Sequence, residues 1–113
     1  MIKILHNPRC KKSREGLAYL EKKTDSFEII DYLKNGLTKE ILKEILLKSN
    51  LPVESLVRTQ EEYYKKELKG KKFNEDEWIK IIIENPKLLQ RPLVVAKTKA
   101  IIGQPAELID QIL

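Results

Sequence analysis

The chain has 113 residues, 42% of them hydrophobic and 35% charged, with a formal net charge of +5 and a single cysteine and a single histidine. This length supports one core that buries roughly two thirds of the unfolded surface, and no apolar run approaches the ~18 residues a membrane span needs. One cysteine excludes an internal disulfide framework, so the thiol is either inert or works with an external partner.

The basic charge is mostly distributed beside glutamates on predicted helices, as at Glu40, Lys43 and Glu44, which describes a solvated face. Only residues 65–72 form a local basic cluster, and they carry no nucleic-acid-binding motif, so a small anion is the expected partner rather than nucleic acid. Met1 leads into a strand-like segment without a signal-peptide pattern, and the expected location is the cytoplasm, with no membrane contact.

In chain order, Ile2, Ile4 and Leu5 predict a short strand over residues 1–6. Pro8 restricts its own backbone, biases Asn7 toward extended geometry and makes a rigid loop before Cys10. A helix is expected from about residue 11 to 23, with Leu17, Leu20 and the stem of Glu21 facing inward, followed by a strand from Phe27. Strand, helix and strand make a βαβ unit, which implies a right-handed crossover and a parallel pair.

Thr38 is a candidate N-cap for a helix carrying Ile41, Leu42, Ile45 and Leu46, which closes around Ser49 and Asn50. Residues 61–68 read as a short helix broken by Gly70, and Asn74 with Glu77 has the form of a capping box for a helix that stops at Asn85-Pro86. Two short strands around Lys97-Thr98-Lys99 predict a hairpin, and Pro105 suits the first turn of a last helix with Leu108, Ile109 and Ile112 inward. The expected architecture is one α/β domain over 1–113, a mixed sheet with helices on both faces and a helical insertion at about 38–90 between βαβ and ββα halves.

Cys10 has two readings: a buried, inert small hydrophobe, or a nucleophile at the start of a helix followed by Lys11, Lys12, Ser13 and Arg14. Helix N-terminal N–H groups favour an anion, but the helix end contributes only ~0.3–1 kcal/mol, less than one pKa unit. A thiolate therefore needs further help from a cation, Ser13 or backbone N–H groups. His6 either helps or is a strand-end histidine satisfied by a carbonyl. One Cys and one His fall short of the ligands a zinc site requires, so no metal is expected.

His6-Asn7-Pro8-Arg9-Cys10 with Ser13-Arg14 resembles the active-site loop of the glutaredoxin-linked arsenate reductases of the thioredoxin-like superfamily. The similarity extends to Leu56-Val57-Arg58-Thr59 and to the stretch Glu84-Asn85-Pro86 through Arg91-Pro92-Leu93. The resemblance implies a thioredoxin-like fold with Pro92 as its cis-proline. It also implies an oxidoreductase in which the Cys10 thiolate attacks an oxyanion such as arsenate while Arg58 and Arg91 neutralise its charge. His6, Ser13 and Arg14 are then thiolate-supporting. Glutathione is the implied co-substrate and glutaredoxin the implied partner, with no bound cofactor. Where the family has a third arginine this chain has Gln104, which donates hydrogen bonds but brings no charge, leaving Lys97 or Lys99 to compensate. Two other functions stay open: a glutathione-dependent oxidoreductase for another substrate, and a regulator similar to the Spx proteins that binds RNA polymerase. In the latter, Ser13 stands where many of those proteins have a second cysteine.

Overall fold

The computed structural model describes residues 1–113. Strands β1 (Ile2–His6), β2 (Phe27–Asp31), β3 (Leu93–Val95) and β4 (Ala100–Ile102) form one mixed sheet in the order β2-β1-β3-β4. The β1–β2 pair is parallel and joined through helix α1 (Lys11–Lys23), whereas β1–β3 and β3–β4 are antiparallel. In register, His6 lies opposite Asp31, Leu5 opposite Leu93, and Val94 opposite Ile101.

Alternation along each strand divides the core between the two faces of the sheet. Ile4 and Val94 pack on one face with Leu20 of α1 and with Ile109 of a C-terminal 3₁₀ helix (Ala106–Ile112). Leu5, Leu93 and Val95 join the larger cluster on the other. There the chain between β2 and β3 adds Tyr32 from the one-turn helix α2 (Tyr32–Asn35), Leu42 and Ile45 from α3 (Lys39–Ser49), and Trp78, Ile79 and Ile82 from α4 (Glu75–Glu84). Helices thus cover both faces of the sheet.

Local chemistry explains the helix ends. Thr38 Oγ1 accepts from the Ile41 N–H at 3.2 Å, and Asn50 closes α3 in the left-handed region at φ 60°. At α4 the Asn74 and Glu77 side chains exchange hydrogen bonds with each other's backbone N–H, at 2.8 and 2.9 Å, in a complete capping box.

Three expected details change. The inner face of α1 is Ser13, Gly16 and Leu20, while Leu17 is half-buried and Glu21 exposed. Gly16 is there because a Cβ at that position would stand 2.5 Å from Pro92 Cγ, so the missing side chain lets α1 seat against the residue after Arg91. Residues 64–68 wind as a π-turn in which Lys69 N–H reaches the Tyr64 carbonyl at 2.8 Å, a wider coil that buries Leu68. The last helix is 3₁₀ rather than α, and its three-residue repeat places Ile109 and Ile112 on the same side, toward the sheet.

Candidate active site

Three chain segments converge beyond the C-terminal end of the central strand β1. The first is the loop from Asn7 to Cys10, tightened by the Cys10 N–H to the Asn7 carbonyl at 3.0 Å and by the Arg9 N–H to Asn7 Oδ1 at 3.0 Å. The other two are held side by side by a single antiparallel bridge between Val57 and Leu89. The Arg58 N–H donates to the Leu88 carbonyl at 2.7 Å and the Gln90 N–H to the Leu56 carbonyl at 2.8 Å. That short ladder carries Arg58 and Arg91, 33 positions apart, to one place. The Arg91-Pro92 peptide is cis.

The result is a pocket of about 260 Å³ lined by Cys10, Arg58, Arg91, Lys11, Lys12 and Gln104, with Gln60 and Gln90 completing the wall. Cys10 is the N-cap residue of α1, half-buried and in extended backbone conformation. Burial is the largest single influence on its thiol and pushes the pKa up. Hydrogen bonding from the Ser13 backbone, the side-chain hydrogen bond and charge of Arg91, and the Lys12 backbone together outweigh it, and the net shift is downward. The open N–H groups at the start of α1 and one guanidinium thus stabilise the thiolate together.

The residues expected to support the thiolate divide their work. Ser13 is fully buried; its backbone faces the sulfur, while its Oγ lies 2.7 Å from His6 Nδ1 and accepts from the Asn7 N–H at 2.9 Å. His6 is itself buried, and that burial, more than any other influence, lowers its pKa below the ordinary histidine value, so it is a neutral ring at pH 7 and adds no charge. Its place is to hold Ser13. Arg14 is exposed and donates from Nη1 to the Pro8 carbonyl at 2.9 Å, so it fastens the loop backbone.

Two groups in this region escaped the sequence. Tyr32 follows β2 directly, one step beyond the His6–Asp31 pair, and is fully buried with its hydroxyl unpartnered. Burial pushes its pKa up to about 12, with the Arg91, Cys10 and Arg58 charges also acting on it, so it stays a protonated phenol beside the pocket. The Arg91 Nε is likewise buried without a partner. The second is Glu61, whose Oε2 pairs with Arg58 Nη1 across the turn that follows Arg58. A tyrosine at a strand end and a glutamate in a Glu61-Glu62 pair read as core and solvated surface, and only the contacts distinguish them.

Lys97 and Lys99 are not available to replace the third cation. β3 runs antiparallel to β1, so the turn after Val95 lies at the Lys3 end of the sheet, and Lys97 there lines a shallow depression with Met1 and Ser26. Gln104 does line the Cys10 pocket, and Lys11 and Lys12 supply the additional positive charge. No helix is long and apolar enough to cross a membrane. No group of three or more His, Cys, Asp or Glu side chains is placed to hold a metal ion.

A four-stranded mixed sheet flanked by helices, with one acidified cysteine capping the first helix beside two arginines, defines a thioredoxin-like protein whose chemistry centres on a single thiol. The ArsC family model matches residues 5–112, and the chain belongs to that family. The arsenate reductase of Neisseria meningitidis serogroup A is 37% identical over 114 residues, covering 99% of this chain and 97% of the relative. The Escherichia coli K12 protein named uncharacterized protein YfgD is 37% identical over 113 residues, covering 98% and 95%. Among solved structures, one titled arsenate reductase from Vibrio cholerae superposes with a TM-score of 0.92 at 37% identity, over 99% of this chain and 97% of that one.

Proposed function

We propose that the protein is a glutathione- and glutaredoxin-linked arsenate reductase in which Cys10 is the nucleophile and Arg58 and Arg91 hold the oxyanion. The observation that carries this reading is the placement of a lowered-pKa cysteine in a pocket walled by four cations and no carboxylate. A tetrahedral oxyanion requires dispersed positive charge and several donors, and an arginine fork supplies two parallel hydrogen bonds from one side chain.

In the proposed sequence the Cys10 thiolate attacks arsenic and forms a sulfur–arsenic bond as one As–OH bond breaks, the departing hydroxyl taking a proton from solvent to leave as water. Arg58 and Arg91 neutralise the oxygens as charge builds on them, and the neutral His6 with Ser13 keeps the helix start aimed at the sulfur. The glutathione thiol then attacks Cys10 sulfur, forming a mixed disulfide; the bonding electrons pass to arsenic, which departs as arsenite. With no second cysteine in the chain, glutaredoxin supplies the thiol that returns Cys10 to its reduced form.

Arsenate turnover by the protein with glutathione and glutaredoxin tests this reading, and Cys10→Ser should lower it to the background rate. Turnover equal to that of the Cys10→Ser protein refutes arsenate as substrate. Gln104 in place of a third arginine supports a second reading, in which the same thiol reduces another glutathione-linked substrate. A stable glutathione adduct on Cys10, seen by intact mass together with absent arsenate turnover, favours it.

A further inference from the structure

The two arginines of the pocket are not in equivalent states. Arg91 touches the cysteine side and has no carboxylate partner, its Nε being buried and unpaired. Arg58 is already engaged: Nη1 is bound to the Glu61 carboxylate, the kind of contact an oxyanion oxygen would make. The backbone imposes this pairing, because the Glu61 N–H donates to the Arg58 carbonyl at 3.2 Å and the turn folds the glutamate back onto its own arginine.

Glu61 is also a boundary residue. It does not line the Cys10 pocket but belongs to the neighbouring cleft of about 840 Å³, together with Arg9, Lys34 and Lys87. A carboxylate displaced from Arg58 therefore turns into a solvent-open cleft whose wall carries these three cations alongside Asp31, Glu62 and Glu84. The pair is only partly buried, the Arg58 and Glu61 side chains being 17% and 26% exposed, so it can open without stranding a charge away from water.

We infer that Glu61 is an internal competitor for the oxyanion-binding face of Arg58, setting the pocket's affinity for small anions and admitting those that can displace a carboxylate. The inference rests on the proposed role of Arg58 in binding an oxyanion. It makes Glu61 a specificity-determining residue, and its signature is a gain: neutralising a competitor tightens anion binding, which loss of a merely structural contact does not do.

Sulfate serves as a non-reacting probe, with its dissociation constant measured as protection of Cys10 from iodoacetamide at constant ionic strength. Glu61→Gln keeps the size and an acceptor for Arg58 while removing the charge. It is expected to bind sulfate about five- to tenfold more tightly than the wild type, the difference between a charged and a neutral partner on a partly exposed arginine. Glu61→Ala, checked for an unchanged near-ultraviolet circular dichroism spectrum, should shift in the same direction. In an Arg58→Gln background, Glu61→Gln should change affinity less than about twofold, since the competition then has no object. Unchanged or weaker sulfate binding in folded Glu61→Gln, with the wild type protected, overturns the inference and leaves the oxyanion reading standing. Failure of sulfate to protect wild type and variants alike, with Cys10 still reactive, overturns both.

Discussion

Two clefts flank the loop that carries Cys10, and they differ in the opposite order to their sizes. The larger, about 840 Å³, sets Arg9, Lys34 and Lys87 among Asp31, Glu61, Glu62 and Glu84. The smaller, about 260 Å³, gathers Lys11, Lys12, Arg58 and Arg91 around Cys10 with no carboxylate in its wall. In the first, cations and carboxylates share one wall; in the second no carboxylate lines the wall, and although Glu61 pairs Arg58 from outside it, Lys11, Lys12 and Arg91 have no carboxylate partner. Under the proposed function the smaller cleft, not the larger, holds the substrate. The sign and purity of the charge identify where an anionic nucleophile and an anionic substrate can share a site.

The most severe way to break this contrast, short of losing Cys10, is to remove a cation from the small pocket. Under the proposed mechanism Arg91→Ala should reduce kcat/KM for arsenate by about 10- to 150-fold, the loss of a charged hydrogen bond of ~1.5–3 kcal/mol. Arg91→Lys, which keeps charge but not the fork, should recover only part of it in the same steady-state assay. The matching change in the large cleft, Lys87→Gln, should leave kcat/KM within about twofold because Lys87 lines that cleft and not the Cys10 pocket, and solvent and salt screen its charge.

Next in size is an effect on architecture. Gly16→Ala places a Cβ against Pro92 at 2.5 Å, so α1 or the Arg91-Pro92 segment must shift. We expect a loss of about 1–3 kcal/mol in urea unfolding, in the range of overpacked cores. A weakened sulfate protection of Cys10 should accompany it, because Arg91 moves with Pro92.

The acidity of Cys10 gives a third measurement. Iodoacetamide reactivity should rise with pH through a midpoint below the ordinary thiol value, and Arg91→Ala should move that midpoint upward while Lys87→Gln leaves it in place. The sign for stability follows from the depressed folded-state pKa. The thiolate's contribution is complete above the unfolded thiol pKa and is lost as pH falls through the lowered one. A midpoint at or above the free-thiol value would count against a nucleophilic Cys10.

The smallest expected change adds a charge rather than removing one. Gln104 lines the Cys10 pocket, so Gln104→Arg should tighten sulfate binding by up to about tenfold, read by the same protection assay. The gain is limited by the exposure of the site and by repulsion from the four cations already there.

Much of the scaffold was legible in the chain because its signals are local. Thr38 and the Asn74–Glu77 pair are caps whose chemistry is complete within four residues, and the strand–helix–strand order of residues 2–31 admits essentially one handedness. The 3₁₀ form of the last helix and the π-turn at Tyr64–Leu68 were not legible, since an apolar spacing that buries Ile109 or Leu68 does not by itself tell these coils from an α-helix. The same division runs through the site. Cys10 at a helix start is a property of neighbouring residues, and it made a thiolate one of two readings, whereas the Arg91 contact that lowers the thiol pKa depends on the fold.

What the sequence determined alone was therefore the setting of the one cysteine: a proline-restricted loop, Cys10 itself and the free N–H groups of the helix that follows. The tertiary structure decided the rest. The Val57–Leu89 bridge brings two distant arginines together, the antiparallel run of β3 sends Lys97 to the far end, and the turn after Arg58 returns Glu61 onto it. Electrostatics depends on distance through space, which separation along the chain does not encode, so a cationic pocket and its one internal carboxylate competitor become visible only once the chain has folded.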